Sequence, residues 1–135
     1  ADGRGVAAAL ALGASAAMIG TGFLGCDEAQ LHPAWAARLA ETAPDDTMLT
    51  RAFSGRAGRT IATEYVRAAA DPDAPAPAPY PVQRGLTSAM REQAQQAGNL
   101  EGMQAWAGQS AALARSRPAG ETITKIWAEA QTLLR

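Results

Sequence analysis

Apolar and small residues dominate the start of the chain and predict a helix that leads into a strand. Asp2 is suited to cap a helix through the apolar residues 6–12, and Gly13 stands where a left-handed C-terminal cap is expected. A continuous apolar run at residues 16–19 then ends at Gly20. Because strands of a parallel sheet are buried on both faces, this run predicts a short buried strand. Helix, turn and strand together predict the second half of a βαβ unit whose neighbouring strands are not in this sequence.

The middle of the chain predicts short helices and one extended segment. Pro33 suits a first helical position, and the apolar spacing predicts a helix from there to Glu41. Residues 47–53 alternate in hydrophobicity and predict a short strand. Residues 54–59 contain two glycines and predict a loop, whereas residues 62–70 predict a helix.

Proline and alanine alternate in the segment DPDAPAPAPYP, residues 71–81. Proline removes backbone donors and favours polyproline II, so this segment predicts an extended connection. Helices are predicted after it over residues 83–97 and 99–116, with Asn99 as the N-cap of the second. Apolar residues at helical spacing then predict a C-terminal helix with one stripe. The stripe contains Ile123, Ile126, Trp127, Ala130 and Leu134.

Composition indicates one globular domain without a strongly charged partner. The chain has 135 residues, of which 47% are hydrophobic and 19% are charged, with a formal net charge of −1. Such a charge gives no long-range attraction to nucleic acid or to an anionic membrane. The longest apolar run near the N-terminus is far shorter than the ~20 residues of a membrane span. Cys26 is the only cysteine, so no intramolecular disulfide is expected and a cytoplasmic setting is favoured.

Isolated polar residues predict neither a catalytic centre nor a metal site. His32 precedes Pro33 at a predicted helix start, which indicates a capping or surface role. Cys26 lacks the histidine and asparagine pattern of a thiol nucleophile, so we expect a small buried or half-buried residue. Arginines interleaved with Phe53 and Tyr65 suggest a nucleic-acid surface, but the net charge and the lack of a matching motif argue against one. These arginines are Arg51, Arg56, Arg59 and Arg67.

Two glycine-containing segments are candidates for binding. In SAAMIGTGFLG, a strand that ends in a glycine turn would expose backbone N–H groups to a phosphate, and an ordinary glycine turn is the alternative. In MQAWAGQS, Gly108 follows Trp106 within an apolar helical pattern. A glycine there costs up to ~1 kcal/mol relative to alanine. Close packing and a binding site would each account for it, and both interpretations stay open.

Five segments follow one another in a characteristic order: ADGRGVAAALALGA, AAMIGTGFL, LTRAFSGRAGR, APAPYPVQRGLT and MQAWAGQSAALA. In this order and spacing they resemble the C-terminal half of nitronate monooxygenases, formerly called 2-nitropropane dioxygenases. The resemblance runs from the first residue almost to the last. It implies an α/β fold, the C-terminal part of a flavin-binding (β/α)8 TIM barrel with an added helical segment. It also implies an FMN-dependent oxidoreductase that oxidises alkyl nitronates with O2; a flavin-dependent enoyl-acyl-carrier-protein reductase is the alternative.

The resemblance assigns an FMN-binding role to the glycine turn. The family's pattern of glutamine, apolar residue, glycine and threonine falls on Met18, Ile19, Gly20 and Thr21. Gly20 and Thr21 would offer backbone N–H groups to the phosphate, at the barrel end where such sites commonly lie. Met18 departs from the usual glutamine. The residues that match family segments near the mouth of the flavin pocket are Tyr80, Trp106 and Gln109.

The same resemblance implies that other parts of the site lie upstream of Ala1. The family's first six strands, its seventh-strand glycine pair and its catalytic histidine correspond to upstream residues, so no catalytic base is expected here. Residues 1–70 would then be barrel, 71–81 the extended connection and 82–135 a helical segment. This chain alone is expected to be mostly α-helical with one or two short strands.

The expected partners follow from the same comparison. They are the missing N-terminal half of the barrel, an alkyl nitronate or similar small molecule, and O2. A catalytically silent, self-associating helical chain is the alternative, since apolar surface meant for the barrel would be left uncovered.

Overall fold

Six α-helices and a two-stranded sheet form the regular structure of residues 1–134, the residues that this computed structural model describes. Strands β1 (Thr47–Thr50) and β2 (Gly58–Ile61) pair antiparallel, with Thr47 opposite Ile61. Within the described residues, none of the helices is long and apolar enough to cross a membrane. The helices are α1 (Gly3–Ala11), α2 (Pro33–Glu41), α3 (Glu64–Ala68), α4 (Val82–Leu86), α5 (Ser88–Gln96) and α6 (Ala119–Leu133).

Local capping signals determine the ends of α1. Asp2 Oδ1 accepts the N–H of Gly5 at 3.0 Å, and Asp2 Oδ2 pairs with Arg4 at 2.8 Å. Gly13 takes a left-handed φ of 97° just after the helix, a conformation that glycine adopts without strain. Helix α1 packs against α6, although the two lie at opposite ends of the sequence. The predicted N-terminal helix is therefore confirmed.

Asp2→Ala should destabilise the chain by about 1 kcal/mol at neutral pH, because the first turn of α1 loses its capping acceptor. The hydrogen bond from Gly5, then that from Arg4, lowers the pKa of the Asp2 carboxyl. A carboxyl with a lower pKa in the folded state stabilises that state above its unfolded pKa, and this stabilisation is lost as the pH falls through the folded pKa. Urea denaturation should therefore show the difference between the two chains shrinking below about pH 4. Asp2→Asn keeps an acceptor without the charge, so its stability should exceed that of Asp2→Ala at both pH values; equal stabilities would contradict the capping role.

The buried strand predicted at residues 16–19 is wrong. These residues belong to no helix or strand, and their backbone makes no hydrogen bond with any other residue from 1 to 134. Met18 is fully exposed, and only Ile19 is partly buried, beside α1. A parallel strand requires a neighbouring strand to pair with, and no described residue supplies one.

The sheet agrees with the prediction at the start of its first strand and differs from it in its second strand. The predicted strand over residues 47–53 ends at Thr50, and the predicted loop over residues 54–59 already contains the start of β2. A third segment, residues 105–107, extends the pairing beyond β2. The N–H of Ile61 donates to the Ala105 carbonyl at 2.9 Å, and the N–H of Ala107 donates to the Arg59 carbonyl at 3.1 Å.

The helix predicted over residues 99–116 is wrong, because this region instead packs against β2. Two short 3-10 turns, Leu100–Gly102 and Ala111–Leu113, lie on either side of the paired segment. Ala105 and Ala107 are buried and alternate with the half-buried Trp106. This is the two-residue period of an extended strand, not the 3.6-residue period of a helix. Asn99 does act as a cap, since its Oδ1 accepts the N–H of Glu101 at 3.1 Å.

The remaining predicted helices form with altered limits. The helix expected over residues 62–70 is the shorter α3. The helix expected over residues 83–97 is divided into α4 and α5 at Thr87, whose hydroxyl donates to the Phe53 carbonyl at 2.7 Å. A polar side chain anchored in this way to the turn after β1 fixes the division between the two helices.

The C-terminal helix α6 is confirmed, but its predicted apolar stripe does not coincide with its buried face. Ala130 and Thr122 are buried, whereas Ile123 and Trp127 are largely exposed. The apolar side of α6 therefore extends beyond the surface that α1 covers.

Candidate functional site

The turn at residues 20–22, hereafter the glycine turn, carries backbone donors without an internal partner; Gly20 is exposed, Thr21 is half-buried and Gly22 is buried. It begins a short 3-10 helix, Thr21–Phe23, and the N–H groups of Gly20, Thr21 and Gly22 have no acceptor among residues 1–134. No atom lies within 4 Å of the position that a Cβ on Gly20 would take, so the space beside Gly20 is open. Consecutive free N–H groups of this kind suit an anion such as a phosphate.

A single hydrogen bond joins the glycine turn to the segment after β2. The N–H of Gly108 donates to Thr21 Oγ1 at 2.9 Å, across 87 positions of the chain. Because the Thr21 oxygen accepts this bond, its own hydroxyl proton remains available to a ligand. Gln109 follows Gly108 and is exposed. The structure therefore brings the predicted residues Thr21 and Gln109 into one neighbourhood.

Ile19, which precedes the glycine turn, packs against Gly22 of that turn. A Cβ added to Gly22 would lie 2.9 Å from Ile19 Cγ2, so a glycine allows the turn to pack on the Ile19 side chain. Ile19 in turn packs against the cluster of Val6, Ala7 and Ala130. The Ile19 side chain is thus part of the packing, while the exposed Met18 contributes no polar contact.

Trp106 has a packing role in the structure. Its ring lies over Gly58, where an added Cβ would come within 2.6 Å of the indole. It also meets Phe53 edge-on, with ring centroids 6.1 Å apart. Gly108, which was predicted to interrupt a helix, instead lies at a turn beyond this contact. The close-packing interpretation therefore accounts for the Trp106 side chain.

Tyr80 lies apart from this neighbourhood. The Arg56 guanidinium stacks over its ring at 3.9 Å from the centroid, a cation–π contact. Within residues 1–134, no hydrogen bond or aromatic contact joins Tyr80 to the glycine turn.

Basic side chains that the sequence analysis missed lie next to the turn. A cavity of about 130 Å³ is lined by Gly22 together with Arg115, Arg117, Lys125 and Glu129. Glu129 Oε2 accepts the N–H of Gly3 at 3.2 Å. The three cations outnumber this one carboxylate and favour an anion nearby. Arg115 and Arg117 lie before α6 and Lys125 lies within it, so the sequence does not show that the three charges come together. The only sign in the sequence is that basic residues recur after residue 113.

His32 and Cys26 have the structural roles that the sequence predicts. His32 Nδ1 accepts the N–H of Ala34 at 3.2 Å and so caps α2. Cys26 is buried, with its sulfur 3.5 Å from Thr122 Oγ1. Neither residue lies in a group of three side chains placed to bind a metal, and residues 1–134 contain no such group.

The model of the family described as nitronate monooxygenase matches residues 1–129. The chain belongs to the nitronate monooxygenase family. It is 42% identical over 125 residues to the nitronate monooxygenase of Paraburkholderia phytofirmans, a match that covers 93% of this chain and 34% of that protein. It is 39% identical over 125 residues to the nitronate monooxygenase of Pseudomonas aeruginosa, covering 93% of this chain and 36% of the relative. The chain thus spans about a third of the length of these relatives.

Solved structures give the same assignment for the fold. The nitroalkane oxidase from Streptomyces ansochromogenes matches with a TM-score of 0.87 and 40% identity, over 99% of this chain and 39% of that one. FabK from Thermotoga maritima matches with a TM-score of 0.76 and 29% identity, over 99% of this chain and 42% of that one. These neighbours are TIM barrels, so the predicted fold class is confirmed: the chain corresponds to the C-terminal part of such a barrel with its helical segment, and is itself about half helical with a short two-stranded sheet.

Proposed function

We propose that this chain supplies part of the FMN phosphate site of a nitronate monooxygenase that oxidises alkyl nitronates with O2. Membership of an oxidoreductase family whose members are flavoproteins in general supports the reaction class. The observation that carries the phosphate assignment is the row of free N–H groups in the glycine turn. When bound, the flavin supplies the redox chemistry between nitronate and oxygen.

The roles of the chain's own residues follow from their contacts. The N–H groups of Gly20 and Thr21 donate to phosphate oxygens, and the Thr21 hydroxyl donates as well, because its oxygen already accepts the Gly108 N–H. Ile19 supports the turn through its side chain. Met18, an exposed thioether without a donor, leaves the phosphate to the backbone and to Thr21.

The proposal also includes the three predicted residues of the pocket mouth. Gln109 would line the mouth, since it is exposed and follows the residue that bonds to Thr21. Trp106 acts there by fixing the segment against Gly58. Tyr80, which stacks with Arg56 away from the glycine turn, would line a separate part of the mouth.

The proposed partner of this chain is the N-terminal part of the barrel, which also provides the catalytic base. The match covers only about a third of the relatives, which leaves their remaining length for that part. Residues 16–19 offer backbone groups without a hydrogen-bond partner in residues 1–134, as a strand that pairs with another segment requires. Exposed apolar side chains on α6 supply surface for the same contact, or for a second copy of the chain.

A chimera tests the proposal as a whole. Residues 1–129 of this chain would replace the matching segment of the Paraburkholderia phytofirmans relative. We expect the purified chimera to retain FMN and to consume O2 with an alkyl nitronate. The match with FabK gives the second candidate function, for which the chimera would oxidise NAD(P)H with an enoyl thioester and ignore the nitronate. A folded chimera without flavin would contradict both functions.

In that chimera, Thr21→Val should weaken FMN binding about 10- to 100-fold. The substitution keeps the shape of the side chain but removes a hydrogen bond to a charged phosphate. It also leaves the Gly108 N–H without its acceptor. The dissociation constant of the flavin-free protein, measured by quenching of FMN fluorescence, checks this expectation.

Thr124→Val is the matched control. Thr124 is an exposed residue of α6 whose hydroxyl donates to the Gly120 carbonyl at 2.9 Å. This control removes the same kind of group, a threonine hydroxyl, at a position away from the glycine turn. The FMN affinity should therefore stay unchanged. Equal affinities for the two variants would remove Thr21 from the phosphate site.

A further inference from the structure

A second cavity, of about 330 Å³, lies between the start of α2, helix α5 and residues 103–104. It shares no lining residue with the cavity beside the glycine turn. Polar side chains from all three elements line it. These are His32, Trp35, Arg91, Gln95 and Gln104.

Arg91 is held in this cavity by three hydrogen bonds and has no carboxylate partner among residues 1–134. Its Nε donates to Thr87 Oγ1 at 3.2 Å, Nη1 to Gln104 Oε1 at 3.2 Å, and Nη2 to the Arg84 carbonyl at 3.0 Å. These bonds use three of the five N–H donors of a guanidinium, which leaves one on each terminal nitrogen. Among residues 1–134 the only ion pair is Arg4 with Asp2, so no carboxylate neutralises Arg91.

The other polar groups of the cavity are also donors. Gln104 Oε1 accepts a hydrogen bond from Arg91, whose guanidinium can only donate. The amide N–H groups of Gln104 therefore remain available to another partner. His32 accepts the Ala34 N–H at Nδ1, so its neutral ring carries the proton on Nε2. Trp35 Nε1 is a buried N–H without an acceptor in the described residues.

We propose that this cavity binds a small monocarboxylate, with the carboxylate on the Arg91 fork and its other contacts from the surrounding donors. A planar carboxylate matches two parallel guanidinium N–H groups. The single positive charge of Arg91, among neutral donors, balances the single negative charge of a monocarboxylate. A phosphate dianion would require a second positive charge. The proposal does not depend on the flavin site.

Titration of the isotope-labelled 135-residue chain with benzoate tests this binding by nuclear magnetic resonance. We expect a saturable shift of the Trp35 indole N–H signal with a dissociation constant of about 1 mM, as expected for so small a ligand. The indole signals of Trp106 and Trp127, which do not line the cavity, should stay in place. Benzamide, of the same shape but neutral, should bind at least about tenfold more weakly. A shift that does not saturate, or equal binding of benzamide, would overturn the proposal, and tighter binding of inorganic phosphate would overturn the carboxylate assignment.

Arg91→Lys should weaken benzoate binding about tenfold or more, because lysine keeps the charge but loses the planar fork. Arg84→Lys is the matched control, since the Arg84 side chain is exposed and does not line the cavity. Wild-type affinity in Arg91→Lys, or an equal loss in Arg84→Lys, would contradict the site.

Discussion

Phe53→Ala should destabilise the chain by about 3–5 kcal/mol, the cost of removing a large buried ring and leaving a cavity behind. Phe53 has no exposed surface. Its ring centroid lies 5.0 Å from that of Tyr65 and 6.1 Å from that of Trp106, so one side chain joins the turn after β1 to α3 and to the segment beside β2. Three separate parts of the chain lose a shared contact when it is removed.

Urea denaturation followed by circular dichroism measures this loss. Phe53→Leu, which retains much of the volume, should cost only about 1–2 kcal/mol. Leu49→Ala removes an apolar side chain from β1 that is 65% exposed, and should change stability by no more than about 0.5 kcal/mol. If Phe53→Ala were no more costly than Leu49→Ala, the core around Phe53 would not contribute as the structure indicates.

Packing around Phe53 also fixes the position of Gly108, whose N–H bonds to Thr21 in the glycine turn. Trp106 packs between Gly58 and Phe53, and two residues later the Gly108 N–H reaches Thr21. The Thr21 hydroxyl is therefore oriented by a chain of contacts that begins in the sheet. A candidate phosphate site on a loop gains its geometry from a rigid scaffold in this way.

Local signals in the sequence predict the elements whose ends are set by neighbouring residues. Asp2 and Gly13 delimit α1, and Pro33 starts α2, because caps and proline act within a turn of the residue that carries them. The glycine pattern indicated free N–H groups at the glycine turn as one of two interpretations, and the structure shows these groups without an internal acceptor. Family resemblance then gave the barrel and the proposed cofactor, neither of which follows from the periodicity alone.

Pairing between distant residues accounts for what the sequence does not predict. Residues 105–107 are extended because Thr60 and its neighbours bond to them. Their sequence, Ala-Trp-Ala, gives no sign that β2 is their partner. Residues 16–19 failed to form the predicted strand for the converse reason, since no described neighbour completes the ladder. The bond from Gly108 to Thr21 spans 87 positions and is equally invisible to a local pattern.

Gly3→Ala should destabilise the chain by about 3 kcal/mol, at the upper end of the cost of overpacking. Gly3 lies where α1 crosses α6, and an added Cβ would clash with Glu129 Cβ and lie 2.7 Å from the Ala130 nitrogen and 2.8 Å from the Ile126 oxygen. Two of these atoms belong to the backbone of α6 and cannot rotate away. The two helices must therefore separate, which loosens the contacts of the cluster that supports Ile19.

Gly5→Ala distinguishes the effect of this contact on stability from the effect of helix propensity, because it places the same substitution two residues later in α1. A Cβ there meets nothing closer than Asp2 Oδ1 at 3.7 Å. Alanine is favoured over glycine in a helix by up to about 1 kcal/mol, so Gly5→Ala should stabilise the chain that Gly3→Ala destabilises. Opposite signs in urea denaturation would establish close packing of α1 on α6. If both substitutions stabilised the chain, α1 would lie further from α6, and the support of the glycine turn through Ile19 would have to be assigned to other contacts.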